Sequence, residues 1–247
     1  MRFIIGKTHP AEEIMMIFKQ YGEQRTGTNY LKRLLEVNFS SIEVFSSILG
    51  WKHGLYELNS SYVSRADNHL DWISKKEKDG KIYSVDNYPL KYSKDFLLEA
   101  ASKLQYIVSY KPILPWVVSY KKFRRPKADW KDVDVNAWCM RYIANYKNWI
   151  SSLTNPIFIN HDTLCSDASK IKLLCYFEQT FKINKIKTDF LLEENIIKPS
   201  TDHGLLISDK KFDINYYSNK EYFNNLPDFI IQQVSKYDDS FIRELCL

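Results

Sequence analysis

Short apolar runs that alternate with helical periodicity predict an α/β fold with a mostly parallel sheet flanked by helices. Three observations carry that expectation. Strand-like runs fall at residues 14–18, 42–45, 106–110 and 156–160. Between them lie stretches with apolar residues three and four apart. The 247 residues, 45% hydrophobic and 26% charged, suit a folded chain, so residues 1–247 are read as one domain with a helical C-terminal tail.

The elements follow in order. The first strand ends at Gln20-Tyr21-Gly22, which reads as a turn. Residues 28–37 form a helix, with Tyr30, Leu31, Leu34, Leu35 and Val37 as its apolar stripe. The strand at 42–45 comes next. Residues 55–80 are polar, with weak helical signal at 70–76; residues 94–104 read as a helix. Pro112 stops the strand at 106–110, and a helix over 115–123 carries Pro115 at its start, where a missing amide costs little. The longest helix spans 133–153, and Trp138, Met140, Tyr142 and Trp149 are expected to pack along it. After the strand at 156–160, a helix covers 167–181 with Asp167 as its N-cap. The tail ends in a helix over 228–245.

Bulk properties narrow the function. The net charge of +5 suits an anionic small-molecule ligand and lacks the footprint of a dedicated nucleic-acid binder. One basic run, Lys121, Lys122, Arg124, Arg125 and Lys127, reads either as a solvated helix end or as a polyanion contact. Cys139, Cys165, Cys175 and Cys246 form no C-x-x-C pair, which argues for a reducing compartment and against a zinc site. Residues 1–10 are too weakly apolar for a signal peptide, and no apolar stretch reaches 18 residues. A cytoplasmic location is therefore expected, with peripheral membrane contact left open.

Glycine points to the site. The chain has seven, and four of them, Gly22, Gly27, Gly50 and Gly54, fall within 33 residues. Gly22-Glu23-Gln24-Arg25-Thr26-Gly27-Thr28-Asn29 joins a strand to a helix with the glycine spacing of the P-loop, G-x-x-x-x-G-K-[ST]. In that loop, backbone amides and a helix N-terminus cradle phosphate. Thr28 and Asn29 replace the lysine and the magnesium ligand, so magnesium triphosphate is disfavoured. An anion held by amides, the hydroxyls of Thr26 and Thr28, and Arg25 fits better. The alternative is a strand–turn–helix in which glycine only relieves a tight turn.

At this point the chain resembles a family. Arg25-Thr26-Gly27-Thr28 is similar to the [KR]-S-G-T-T loop of sulfotransferases that use 3′-phosphoadenosine-5′-phosphosulfate (PAPS). The resemblance implies that Gly22, Arg25, Thr26, Gly27, Thr28 and Asn29 hold the 5′-phosphosulfate without a metal. A second element, Lys111-Pro112 followed by Trp116-Val117-Val118-Ser119-Tyr120, resembles the family's R-[DN]-P…S-Y pattern. It implies that Lys111 and Ser119, eight residues apart, hold the 3′-phosphate. Lysine stands where arginine is usual, so bidentate geometry is lost.

A third element is Trp51-Lys52-His53-Gly54. The resemblance implies His53 as general base and Lys52 as stabiliser of the bridging oxygen, with Arg25 assisting. Lys52 and His53 are adjacent here, not one apart, and lie nearer the phosphate loop. A histidine in this setting is also read as a hydrogen-bonded structural residue. Glu23 is the competing base. The segment Phe158 to Leu164 resembles the family's Y-E-D-L segment and reads as support for the sheet edge. Lys210 and Lys211 are further 3′-phosphate candidates, or a solvated pair.

The expectation is thus a P-loop-like, sulfotransferase-like domain that moves a sulfuryl group from PAPS to a hydroxyl, with no metal. The lack of targeting segments resembles bacterial carbohydrate enzymes, so a surface glycan is the expected acceptor. The rivals are a P-loop nucleotide kinase, a non-catalytic nucleotide-binding protein, and a polyanion-binding module built on residues 121–127.

Overall fold

A computed structural model describes residues 16–45, 52–55, 82–83, 89–90, 104–192, 221–224 and 226–247. Strands β1 (Met16–Gly22), β2 (Ile42–Phe45), β5 (Gln105–Tyr110) and β6 (Ile157–Asn160) form a four-stranded sheet in the order β2-β1-β5-β6. All of its pairings are parallel. A separate antiparallel ladder joins β3 (Ile82–Tyr83) to β4 (Pro89–Leu90). The helices are α1 (Thr28–Asn38), α2 (Ile113–Arg124), α3 (Val135–Ser152), α4 (Asp167–Phe181), α5 (Asp228–Val234) and α6 (Ser240–Arg243). The expected α/β architecture with a parallel sheet flanked by helices is what forms.

Side-chain alternation along β1 divides the interior in two. Ile17 and Tyr21 face a core completed by Val108, Tyr110, Trp116, Tyr142, Tyr146 and Trp149, into which the tail inserts Ile230, Val234 and Ile242. Phe18 faces the other core, with Leu31, Leu34, Leu35, Ile107, Ile159, Leu174 and Phe177. Residues 17–22 are all buried, so β1 runs on through Gly22 where the sequence suggests a turn after Phe18. A strand covered on both faces has no exposed positions to mark its end.

Other boundaries shift for local reasons. Helix α2 begins directly after Pro112, with Pro115 in its first turn. The expected helix over 133–153 starts only at Val135, because the Asp134 carboxylate accepts from Ala137 N at 2.9 Å and caps it there. Met140 on that helix is 56% exposed and does not pack, whereas Tyr142 and Trp149 are buried. Asp167 is the first residue of α4 and not its cap; Ser166 takes the cap position, and Asp167 pairs with Lys170 at 2.7 Å.

The expected helix over 228–245 is broken into α5 and α6. Asp238 turns to accept from Ser240 N at 2.9 Å, and Asp239 is drawn into the domain. The helix expected at 70–76 and all but Leu104 of the one expected at 94–104 lie outside the described residues. So do Gly50, Trp51, Lys210, Lys211 and residues 1–10.

Candidate functional site

Chain order puts a switch point between β1 and β5. From β1 the chain crosses to β2 on one side, and later fills β5 and β6 on the other. Connections leave the carboxyl ends of β1 and β5 in opposite directions, which opens a crevice there. Residues 22–29 follow β1 into that crevice, and residues 111–119 follow β5 into it. The two segments quoted for phosphate therefore meet.

The loop has a specific shape. Gly27, at φ +85, is the N-cap of α1 and Arg25 also adopts positive φ, at +74. For arginine this is an uncommon conformation, of the kind that clusters at ligand clamps. Thr26 Oγ1 donates to Glu23 O at 2.7 Å and braces the turn. Helix α1 has no side-chain cap and no acidic residue in its first turn. The positive end of its dipole is thus left to the loop.

Gly22 serves a different need. A Cβ there would lie 2.8 Å from Ser109 O and 2.9 Å from Thr26 Oγ1. Its N–H donates to Lys52 O at 3.0 Å, and its carbonyl accepts from His53 Nδ1 at 2.5 Å. Glycine here permits close approach of the neighbouring strand, and its amide is engaged by segment 52–53.

The cations gather round this loop. Arg25 Nε lies 3.5 Å from Ser119 Oγ, and its guanidinium sits 5.5 Å over the Phe123 ring. Lys111 is 1% exposed. Its burial, together with the charge of Arg25, lowers its pKa to about 7. Lys52 Nζ donates to Asn29 Oδ1. His53 is lowered to about 3, first by burial and then by the charges of Lys52, Lys19 and Arg124, against the bond to Gly22. The neutral ring therefore keeps its proton on Nδ1 and presents Nε2 as an acceptor.

Glu23 is committed elsewhere. Its carboxylate is buried, meets Arg141 at 3.2 Å and accepts from Asn145 Nδ2. Burial raises its pKa, with Arg141 opposing. It anchors the loop to α3.

A run of aromatic rings supports the loop from below. Tyr120 stacks on Trp116 at 5.0 Å, Trp116 meets Tyr142 at 4.6 Å, and Tyr142 meets Tyr146 at 4.7 Å. Trp116 Nε1 donates to Gln24 O at 2.9 Å and Trp149 Nε1 to Gly54 O at 3.0 Å. Trp116 and Trp149 are fully buried, so both are scaffold and not a sugar platform.

Every residue proposed for the site from the sequence, among those described, borders this loop or the segments touching it. The sequence gives His161 no role beyond the sheet-edge support of residues 158–164; it lies in the 3₁₀ turn after β6 with its ring edge against Gly27. Nor does the sequence mark Trp116, Arg141 or Asn145 as loop supports. His161 had one usable signal: it is the first residue after a parallel strand, where ligands sit.

Set against family models, curated proteins and solved structures, the chain matches none. Among the described residues, no helix is long and apolar enough to cross a membrane.

Proposed function

We propose that this protein transfers a sulfuryl group from PAPS to a hydroxyl of a glycan. One observation carries the reading: Arg25 of the glycine loop lies beside Ser119, eight residues after Lys111, at the crevice between β1 and β5. An α1 with no acidic residue in its first turn, with the buried Lys111 and the exposed Arg25 nearby, also suits a doubly anionic nucleotide.

In this reading the loop and Arg25 hold the 5′-phosphosulfate, and Lys111 and Ser119 hold the 3′-phosphate. The acceptor oxygen forms a bond to sulfur as the bond from sulfur to the bridging phosphate oxygen breaks. The electron pair stays on that oxygen, where Arg25 and Lys52 stabilise it. His53 Nε2 takes the hydroxyl proton. The products are a sulfate ester and adenosine 3′,5′-bisphosphate.

A His53 pKa near 3 makes it a weak base in the free protein. Bound nucleotide offsets the repulsion from Lys52, Lys19 and Arg124 and raises it. That weak basicity also favours the rival, a protein that binds the nucleotide without turnover. Transfer of label from PAPS to a glycan separates the two. Thermal shift separates both from a kinase. Adenosine 3′,5′-bisphosphate at a hundred times its Kd raises Tm by about 5 °C, and ATP with magnesium does not. The opposite ranking defeats the proposal.

A further inference from the structure

The basic end of α2 has no task in sulfuryl transfer as proposed. Residues 121–127 hold five cations, Lys121, Lys122, Arg124, Arg125 and Lys127, and no acid. Phe123 joins this end to the reaction crevice. Its ring carries two guanidinium groups, Arg25 of the glycine loop at 5.5 Å and Arg124 at 5.3 Å. Arg124 also lies 5.9 Å from the Tyr120 ring. A guanidinium on a ring face is held in place while its N–H donors stay at its edge. Arg124, Arg125 and Lys127 are exposed. Arg124 is close enough to His53 for its charge to act on that ring. The run thus starts beside His53 and continues through Arg125 and Lys127.

A solvated helix end explains part of this. The dipole of α2 favours cations in its last turn, where Lys121, Lys122 and Arg124 lie. Lys121 has a further local use, 5.4 Å over the Trp130 ring. Neither reason covers Arg125 and Lys127, which follow the helix. Arg125 N still donates to Lys121 O at 2.8 Å, so two like charges stand one turn apart, a spacing that destabilises a helix. Nor does a helix end call for Arg124 to share a ring with Arg25 and stand by His53. The next acid along the chain, Asp129, meets Lys131 at 3.9 Å. Charge of one sign concentrated beside a site selects ligands of the other sign.

We propose that the acceptor is an anionic glycan, and that Arg124, Arg125 and Lys127 receive carboxylate or sulfate groups on the sugars flanking the one that reacts. This assignment rests on the sulfuryl-transfer reading, which takes His53 to face the acceptor. Arg124 meets the anionic group nearest the reacting hydroxyl, and its fork of donors suits a carboxylate or a sulfate. Arg125 and Lys127 act on groups farther along the glycan. As exposed charges each contributes modestly, and salt weakens them. A neutral glycan gains none of these contacts. Duplex nucleic acid fits less well, because a chain of net charge +5 lacks the broad basic footprint that a duplex calls for.

The test is calorimetric titration of oligosaccharides from polygalacturonate and from dextran sulfate, with neutral dextran as control, into protein saturated with adenosine 3′,5′-bisphosphate. Native protein is expected to bind one of the anionic probes at least about 30-fold tighter than dextran, and the stronger of the two tells carboxylate from sulfate. Arg124→Gln should weaken that binding about tenfold, and Arg125→Gln with Lys127→Gln about fivefold. Bisphosphate affinity should stay within about threefold in each. Labelled PAPS should mark the anionic probe in preference to dextran. Equal affinity for all three probes, or label on dextran in preference to both others, overturns the assignment; intact bisphosphate binding then leaves the nucleotide reading standing. Duplex DNA or phosphatidylglycerol vesicles held tighter than either anionic glycan also overturn it. If native protein ignores the bisphosphate, the acceptor assignment falls with the nucleotide reading, and the polyanion module on residues 121–127 stands in its place. Should the variants not fold, salt decides with native protein. A loss of about fivefold between about 0.05 and 0.2 M salt supports the assignment, and indifference to salt overturns it.

Discussion

Tyr110 and Lys111 are consecutive, yet they enter opposite kinds of buried polar surroundings. The Tyr110 hydroxyl donates to Asp239 Oδ2 at 2.7 Å, and the same oxygen accepts from Ile113 N at 2.8 Å, while Arg243 meets the other oxygen at 3.3 Å. Donors, acceptors and charges balance in that cluster, and the carboxylate caps α2 from the tail. Lys111, itself buried, is instead faced by the exposed side chains of Arg25, Lys122 and Asp162, with His161 beside it. A satisfied buried network adds to stability, whereas an unbalanced one is a cost. The first cluster holds the domain together. The second lies at the crevice where the proposed nucleotide binds.

Exchanging the two roles by mutation gives the largest expected contrast. Asp239→Ala strands Tyr110 and the first amide of α2, and should cost about 3 kcal/mol in urea unfolding while leaving bisphosphate affinity within about twofold. Lys111→Met should do the reverse. It removes a buried cation, raises stability by about 2 kcal/mol, and weakens bisphosphate binding about 100-fold. Matching losses of stability in both variants would erase the contrast.

A second effect acts on rate. His53→Ala should lower turnover about 100-fold with bisphosphate affinity unchanged. Near-full turnover would remove His53 as the base.

Then comes pH. Lys111 titrates at about 7 in the folded chain against an ordinary 10.5, so between those values the unfolded chain binds more protons. Its contribution to stability therefore rises as pH climbs from about 7 towards 10.5. The lowered values of His53 and His161 act on the acid side, where stability falls below an ordinary 6.5. Lys111→Met should flatten the alkaline rise and leave the acid fall. Denaturant midpoints across pH measure both.

The smallest effect is at Gly27. Alanine there meets a φ of +85 and a contact of 3.0 Å to Leu164 Cδ1. It should cost about 1 kcal/mol and weaken bisphosphate binding through the displaced loop. Unchanged affinity would show that the loop tolerates the shift.

The sheet is legible in the sequence because its strands are short apolar runs between clear breakers, and β2 falls on the expected residues. The tail is less legible. Asp238 and Asp239 read as tolerable helix residues, and nothing local reports that Asp239 is taken up by Tyr110, 129 positions earlier. The loop is legible from its glycine spacing, whereas Lys111 and Ser119 enter only through the family resemblance. The surroundings of His161 are not legible, since they arise from the register of β5 with β6. Glu23 looks like a free base in sequence and is held by Arg141 and Asn145, both distant in the chain.

Gly22 bonds through both its amide and its carbonyl to segment 52–53. The same residue begins the loop that ends in α1. Loop and histidine thus hang from one pivot, and a displacement of the loop carries His53 with it. A reaction at that spot would draw its anion loop and its base from a single point of attachment.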